Sequence, residues 1–177
     1  MTHKRLQKGT VQVFTGNGKG KTTAALGCGL RAAGHGYRVL MIQFMKGRLY
    51  GELESTKHVP GFEILQFGRD CFVEKGKPLA EDLALAREGL EKAVEAVESN
   101  TCDMLILDEI NVAVDYGLIG LGDVLDIIKR RPAHIELILT GRYAHESIKK
   151  ASDTVTEMVE IKHHFSTDVA AREGIEY

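Results

Sequence analysis

The chain has no tryptophan, only three prolines and only three cysteines among its 177 residues. Cys28, Cys71 and Cys102 are odd in number and lack C-x-x-C spacing, so they read as reduced thiols, not a disulfide framework or zinc site. No apolar run approaches the ~18–20 residues of a membrane span. Met1-Thr2-His3-Lys4-Arg5 leads into no signal-like apolar core, which predicts a cytoplasmic protein without a membrane partner. An excess of one charge is missing too. With 23 Lys+Arg against 25 Asp+Glu, the net charge is −2, unlike the basic balance of a dedicated nucleic-acid binder. Hydrophobic residues at 44% and charged residues at 27% exclude disordered and collagen-like classes.

Glycine is what the chain has in excess. Its 19 glycines are roughly 11% of the residues against an average near 7%. Gly16, Gly18, Gly20, Gly27, Gly29, Gly34 and Gly36 all fall within one short stretch. The length fits one domain spanning 1–177, with 1–8 as a flexible basic arm carrying Lys4, Arg5 and Lys8.

Short β-rich runs alternate with helical stretches. Strands are predicted at Thr10–Thr15, Tyr37–Phe44, Phe62–Phe67, Met104–Leu107, Ile135–Thr140 and Val155–Ile161. Helices are predicted at Lys21–Ala33, Leu79–Ser99, Val124–Arg130 and Tyr143–Lys150, the long one with an exposed Glu88–Lys92 pair. The runs MLIL and IELILT are apolar on both faces, as strands of a covered parallel sheet are. The expected fold is α/β, a mostly parallel sheet with helices on both faces. Ligands of such sheets bind beyond the carboxyl ends of the strands.

Thr15-Gly16-Asn17-Gly18-Lys19-Gly20-Lys21-Thr22-Thr23 lies between the first strand and the first helix. Glycines let successive N–H groups face inward to cradle phosphate, and the helix start adds its positive dipole end. Lys21 would reach the phosphates, and Thr22 would offer its hydroxyl to Mg²⁺. The pattern G-x-x-x-x-G-K-[ST] is incomplete, because Thr15 stands where its first glycine belongs. At average residue usage about one chain in ten this size contains G-K-[ST] by chance, so the strand before and the helix after carry the assignment. The glycine spacing does not form the G-x-G-x-x-G dinucleotide fingerprint.

Asp108-Glu109 follows the apolar strand MLIL, the arrangement in which an acid at a strand end holds Mg²⁺ against a triphosphate. Alternate strand residues face opposite ways, so both acids face the metal only if the chain turns at once. A pair of acids capping a helix near Asn111 is the structural alternative.

With these residues in place the chain resembles the P-loop corrinoid adenosyltransferases of the ATP:cob(I)alamin type. The resemblance rests on GNGKGKTT at 16–23 followed by Ala24-Ala25, on Gly34-His35-Gly36, and on Gln43-Phe44-Met45-Lys46-Gly47. It continues through Leu107-Asp108-Glu109, Arg131-Pro132, Thr140-Gly141-Arg142, Val155-Thr156-Glu157-Met158, Lys162-His163 and Gly174-Ile175-Glu176-Tyr177, nearly the whole chain.

That resemblance implies a P-loop NTPase-like (RecA-like) α/β fold and transfer of the 5′-deoxyadenosyl group of ATP to the Co(I) of a reduced corrinoid, with triphosphate leaving, in cobalamin biosynthesis or salvage. ATP and the corrinoid are the implied substrates, Mg²⁺ (or Mn²⁺) the implied ion, a homodimer the implied assembly and a reductase the implied electron source. Gly16, Asn17, Gly18, Lys19, Gly20, Lys21, Thr22 and Thr23 correspond to the family's ATP loop. Thr22 and Glu109 look like its metal partners, with Asp108 as a further candidate. Lys21 and Glu109 are the catalytic candidates, and Arg142 is a candidate for phosphate or corrinoid contact.

Two segments depart from the family pattern. Gly68-Arg69-Asp70-Cys71-Phe72 stands where some members carry a Phe-x-Trp pair, and some members have glycine near Asp168. The enzyme alternative is an ATP hydrolase or kinase with Glu109 orienting water or a hydroxyl. The non-enzyme alternative is a nucleotide-dependent corrinoid-binding module. His163-His164 reads as structural, because no acid or cysteine stands at ligand spacing.

Overall fold

The computed structural model describes residues 5–177, so the part of the predicted arm at 1–4, including Lys4, lies outside the described residues. Six strands, β1 Val11–Thr15, β2 Val39–Phe44, β3 Phe62–Phe67, β4 Met104–Asp108, β5 Glu136–Thr140 and β6 Thr154–Glu157, form one sheet in the order β3-β2-β4-β5-β1-β6. Every neighbouring pair is parallel. The helices are α1 Lys21–Gly34, α2 Gly51–Thr56, α3 Ala80–Ser99, α4 Ile110–Asp115, α5 Leu121–Arg130 and α6 Glu146–Ala151. A 3₁₀ turn follows at His164–Thr167.

The two faces of the sheet have separate cores because strand side chains alternate. Met41, Ile106 and Ile138 point toward α1, together with Ala25 and Ala33. Ile42, Leu105, Leu107 and Leu137 point the other way, against Ala86, Ala93 and Val97 of α3 and Val124 and Ile127 of α5. The predicted helices-on-both-faces arrangement is what the chain forms. Two glycines let the main helices lie close. A Cβ on Gly29 of α1 would stand 2.7 Å from the Phe62 ring, and one on Gly89 of α3 would stand 2.8 Å from the Phe44 ring.

Several boundaries differ from the sequence expectation. β6 stops at Glu157 instead of reaching Ile161, because Met158 turns its carbonyl to the Gly18 N–H at 2.7 Å and the chain leaves the sheet along the first loop. α6 begins at Glu146, not Tyr143: Tyr143 is left-handed (φ 62), and the His145 ring accepts the Ser147 N–H at the helix start. α5 begins three residues early, at Leu121, with Gly120 before it. The second strand begins at Val39, not Tyr37, and the short helices α2 and α4 were not predicted. Lys92 bonds Glu95 at 2.8 Å in place of the expected Glu88.

The decisive feature for the site is strand order. β1, which feeds the glycine loop, does not touch β4, which carries the acids; β5 lies between them.

Candidate active site

The loop leaving β1 is shaped by glycine in two ways. Gly16 (φ 94) and Gly20 (φ 114) occupy left-handed backbone that disfavours side chains. Gly18 has a different constraint: a Cβ there would lie 2.7 Å from the Met158 carbonyl, so the segment after β6 presses directly on the loop. α1 then opens at Gly20 without a side-chain cap, which leaves the N–H groups of Lys21, Thr22 and Thr23 to a ligand.

Lys21, the first residue of α1, is buried, and its Nζ donates to the Gly18 carbonyl at 2.7 Å. Burial pulls its pKa down and Arg142 adds to that, while Glu109 and Asp108 oppose it. Asn17, Lys19 and Thr23 are exposed on the rim. Lys19 reaches the far end of the chain, where its Nζ meets Glu176 at 2.6 Å.

The acids are placed by β4. Asp108, its last residue, is 0% exposed and has four donors. The hydroxyls of Thr22 (2.9 Å) and Thr140 (2.6 Å) share Oδ1. Lys46 (2.7 Å) and the Gln43 amide (3.4 Å) share Oδ2. A carboxylate has about four acceptor positions, so this one is filled.

The chain does turn at once after Asp108. Glu109 is left-handed (φ 62), and its N–H donates to the Thr140 hydroxyl at 3.0 Å. Its side chain therefore leaves the strand alternation, and no donor among the described residues bonds its carboxylate. Burial, then repulsion from Asp108, holds its carboxyl above the usual range, while Lys46, Lys21 and Arg142 pull it back. Glu109 stands at the start of α4 but gives it no side-chain cap, which disposes of the capping alternative.

Arg142 is exposed and forms no ion pair among the described residues, yet its charge acts on both Lys21 and Glu109. The structure thus gathers Lys21, Thr22, Asp108, Glu109 and Arg142 at one end of the sheet.

Sequence reasoning did not assign Lys46, Gln43, Gln66 or Thr140 to the site. Gln66, Gln43 and Asp108 are register partners across β3, β2 and β4, and they form a polar row. The Gln66 amide donates to Gln43 at 3.0 Å, and the Gln43 amide donates to Glu52 at 3.0 Å. The available signal was polar residues closing apolar strands, Gln43 in VLMIQF and Thr140 in ELILT.

Beside Lys46 a shallow groove is lined by Arg48, Tyr50, Arg69 and Phe72, and Phe72 is 97% exposed. His163 and His164 stack with ring centres 4.4 Å apart, and Glu176 lies 3.8 Å from His164.

Known proteins resemble this chain over nearly its whole length. Residues 7–177 match the family described as ATP:corrinoid adenosyltransferase BtuR/CobO/CobP. A corrinoid adenosyltransferase of Escherichia coli K12 is 38% identical over 173 residues, covering 97% of this chain and 87% of that protein. One from a Sinorhizobium species is 36% identical over 181 residues (100% and 84%), and the corrinoid adenosyltransferase CobA of Salmonella typhimurium LT2 is 36% identical over 173 residues (97% and 87%). Among solved structures, a KaiC-like protein from Pyrococcus horikoshii superposes with a TM-score of 0.58 at 16% identity, covering 89% of this chain and 76% of that one. That likeness concerns the fold alone.

Proposed function

The chain belongs to the ATP:corrinoid adenosyltransferase family, and on that premise we propose how its own residues serve the reaction. The enzyme adenosylates corrinoids with ATP, a step of cobalamin biosynthesis. The Co–C5′ bond forms as the C5′–O bond breaks; Co(I) supplies the electron pair, and triphosphate carries away the negative charge. The attacking atom belongs to the substrate, so the protein's tasks are positioning and stabilising the leaving charge.

The observation that carries this assignment of roles is the Thr22–Asp108–Thr140 tie beside a Glu109 carboxylate that no donor among the described residues bonds. Gly16 to Thr23 cradle the triphosphate with their N–H groups, and Lys21 gives up the Gly18 carbonyl to pair with it. Arg142, exposed and without an ion pair among the described residues, adds a second cation for the leaving group.

Thr22 and Glu109 are hard oxygen donors that suit Mg²⁺ (or Mn²⁺). The Thr22 hydroxyl spends its proton on Asp108 and keeps its lone pairs for the ion. Asp108 has no free acceptor position and serves to aim Thr22. The ion, when bound, neutralises triphosphate charge. Phe72, in the segment where some family members carry a Phe-x-Trp pair, has an exposed ring available for a corrinoid.

We also infer one domain acting as a homodimer in the cytoplasm, with a separate reductase supplying electrons to cobalt; family resemblance supports the homodimer and the reductase, chain length the single domain and the cysteine pattern the cytoplasm. No helix among the described residues is long and apolar enough to cross a membrane.

Binding of Mn²⁺·ATP, followed by electron paramagnetic resonance, tests the roles. Thr22→Val and Glu109→Gln are each expected to weaken it about tenfold or more, roughly one lost ligand at 1.4 kcal/mol. Wild-type affinity in both variants would overturn the assignment.

A further inference from the structure

Lys46 has no part in the roles above, yet its position is held tightly by the turns around it. Met45 before it is left-handed (φ 58), and this turn sends the Lys46 side chain back toward the sheet. Gly47 after it and Gly68 after β3 touch backbone to backbone. A Cβ on Gly47 would stand 2.4 Å from the Gly68 carbonyl, and one on Gly68 would stand 2.3 Å from the Lys46 nitrogen. Two tight turns thus hold the lysine in place. Its Nζ lies 2.7 Å from Asp108 and 5.0 Å from the centre of the Tyr50 ring, and only 13% of its side chain is exposed. Glu109 and Glu52 are its other acidic neighbours.

A divalent ion ligated directly by Asp108 would have to displace this ammonium, since two cations on one carboxylate repel strongly in a partly buried site. Asp108 and Glu109 are otherwise an adjacent pair of acids, the kind of arrangement that takes up a free divalent ion. We propose that Lys46 is a built-in counter-cation that closes Asp108 to free metal, so that the ion loads only as its ATP complex, on Thr22 and Glu109 with triphosphate oxygens. Lys46 is a positioning residue in this role. It keeps Asp108 committed to Thr22 and prevents an ion without nucleotide from occupying the phosphate site. The inference rests on the Thr22–Glu109 reading of the metal.

The test is Mn²⁺ binding without nucleotide, measured by electron paramagnetic resonance on the full chain. Lys46→Met keeps the apolar stem and removes the charge; Lys46→Gln keeps a donor for Asp108; Lys46→Arg keeps the charge. The first two are expected to bind free Mn²⁺ at least tenfold more tightly than wild type, and Lys46→Arg to match wild type within threefold. Lys46→Gln carries the test if Lys46→Met does not fold. Unchanged or weaker free Mn²⁺ binding in a folded, charge-free variant overturns the proposal. So does a gain shared by Lys46→Arg, since retained charge would then make no difference. Glu109→Gln with Mn²⁺·ATP is the separate control: wild-type affinity there overturns the Thr22–Glu109 reading, whatever the Lys46 variants do.

Discussion

Thr22, in the first turn of α1, donates its hydroxyl to Asp108 at the end of β4 over 2.9 Å, joining motifs 86 residues apart. The strands beneath them are not neighbours. β5 fills the gap and ends in Thr140, whose hydroxyl donates to the same Asp108 oxygen and accepts the Glu109 N–H. One threonine thereby orients one acid and sets the backbone turn of the next.

Thr140→Val removes that hydroxyl at nearly constant volume and leaves both partners with one bond fewer. The expected cost is about 1–3 kcal/mol of stability, with reduced turnover because Thr22 and Glu109 lose their alignment. Denaturant unfolding checks the first and steady-state kinetics the second. Thr140→Ser is expected to restore both.

Much of this is legible in the sequence, and the exceptions arise from strand register and from single left-handed residues. The glycine loop, Lys21, Thr22 and the acid pair announce themselves by local spacing. Helix α1 could be read from its small residues, and strands β4 and β5 from their apolar runs. Gln43 faces Asp108 only once β2 and β4 pair in parallel, and Lys46 reaches Asp108 only past the left-handed Met45. The turn at Glu109 was posed as a question by strand alternation and answered by a positive φ that no residue type announces. Sequence pattern places the start of α6 at Tyr143, because a left-handed tyrosine is indistinguishable in sequence from a helical one.

Lys21→Ala removes a buried cation whose pKa burial has already lowered. Its charge stabilises little in the empty protein and much in the transition state. A loss of about 10²–10³ in kcat is expected from removing one stabilising donor to leaving charge. The melting temperature is expected to stay near that of wild type, and single-turnover kinetics beside a thermal melt measure both.

Glu109 gives a pH signature. Burial, followed by the neighbouring Asp108, raises its pKa in the folded protein. The folded state then holds that proton more tightly than the unfolded chain. Stability is therefore greatest below the ordinary carboxyl range and falls as pH rises through the raised folded value. Glu109→Gln is expected to remove that fall and to stabilise the nucleotide-free protein by about 0.5–2 kcal/mol at neutral pH. Thermal melts between pH 4 and 8 read the slope; a variant less stable than wild type at neutral pH contradicts it.

Asp82 behaves in the opposite sense. Its carboxylate takes the Arg69 guanidinium at 2.6 and 2.9 Å and caps α3 by accepting the Leu79 N–H at 2.9 Å. The Arg69 bonds, chiefly, hold its pKa below the ordinary value against the effect of burial. Its stabilisation is present above the ordinary carboxylate range and lost as pH falls through the depressed folded value. Asp82→Ala is expected to cost about 1.5–3 kcal/mol at pH 7 and progressively less in acid, as denaturant midpoints across pH will show.

Gly29→Ala tests the packing of α1 on the sheet. The added methyl would meet the Phe62 ring at 2.7 Å and Ile106 at 3.3 Å, between a helix and a strand that cannot both yield. Overpacking of this kind costs about 1–3 kcal/mol, which outweighs the helix propensity gained. Chemical denaturation of the variant is the measurement, and a more stable protein would contradict the packing described.

The most direct test of the whole account is the phosphorus product. The wild-type protein is incubated with Mg²⁺·ATP and a chemically reduced corrinoid, and the mixture is followed by phosphorus NMR and by the visible spectrum of cobalt. Adenosyl transfer predicts intact triphosphate appearing in step with a light-sensitive cobalt–carbon species. Orthophosphate or ADP without that species would contradict it and make the chain a hydrolase or kinase.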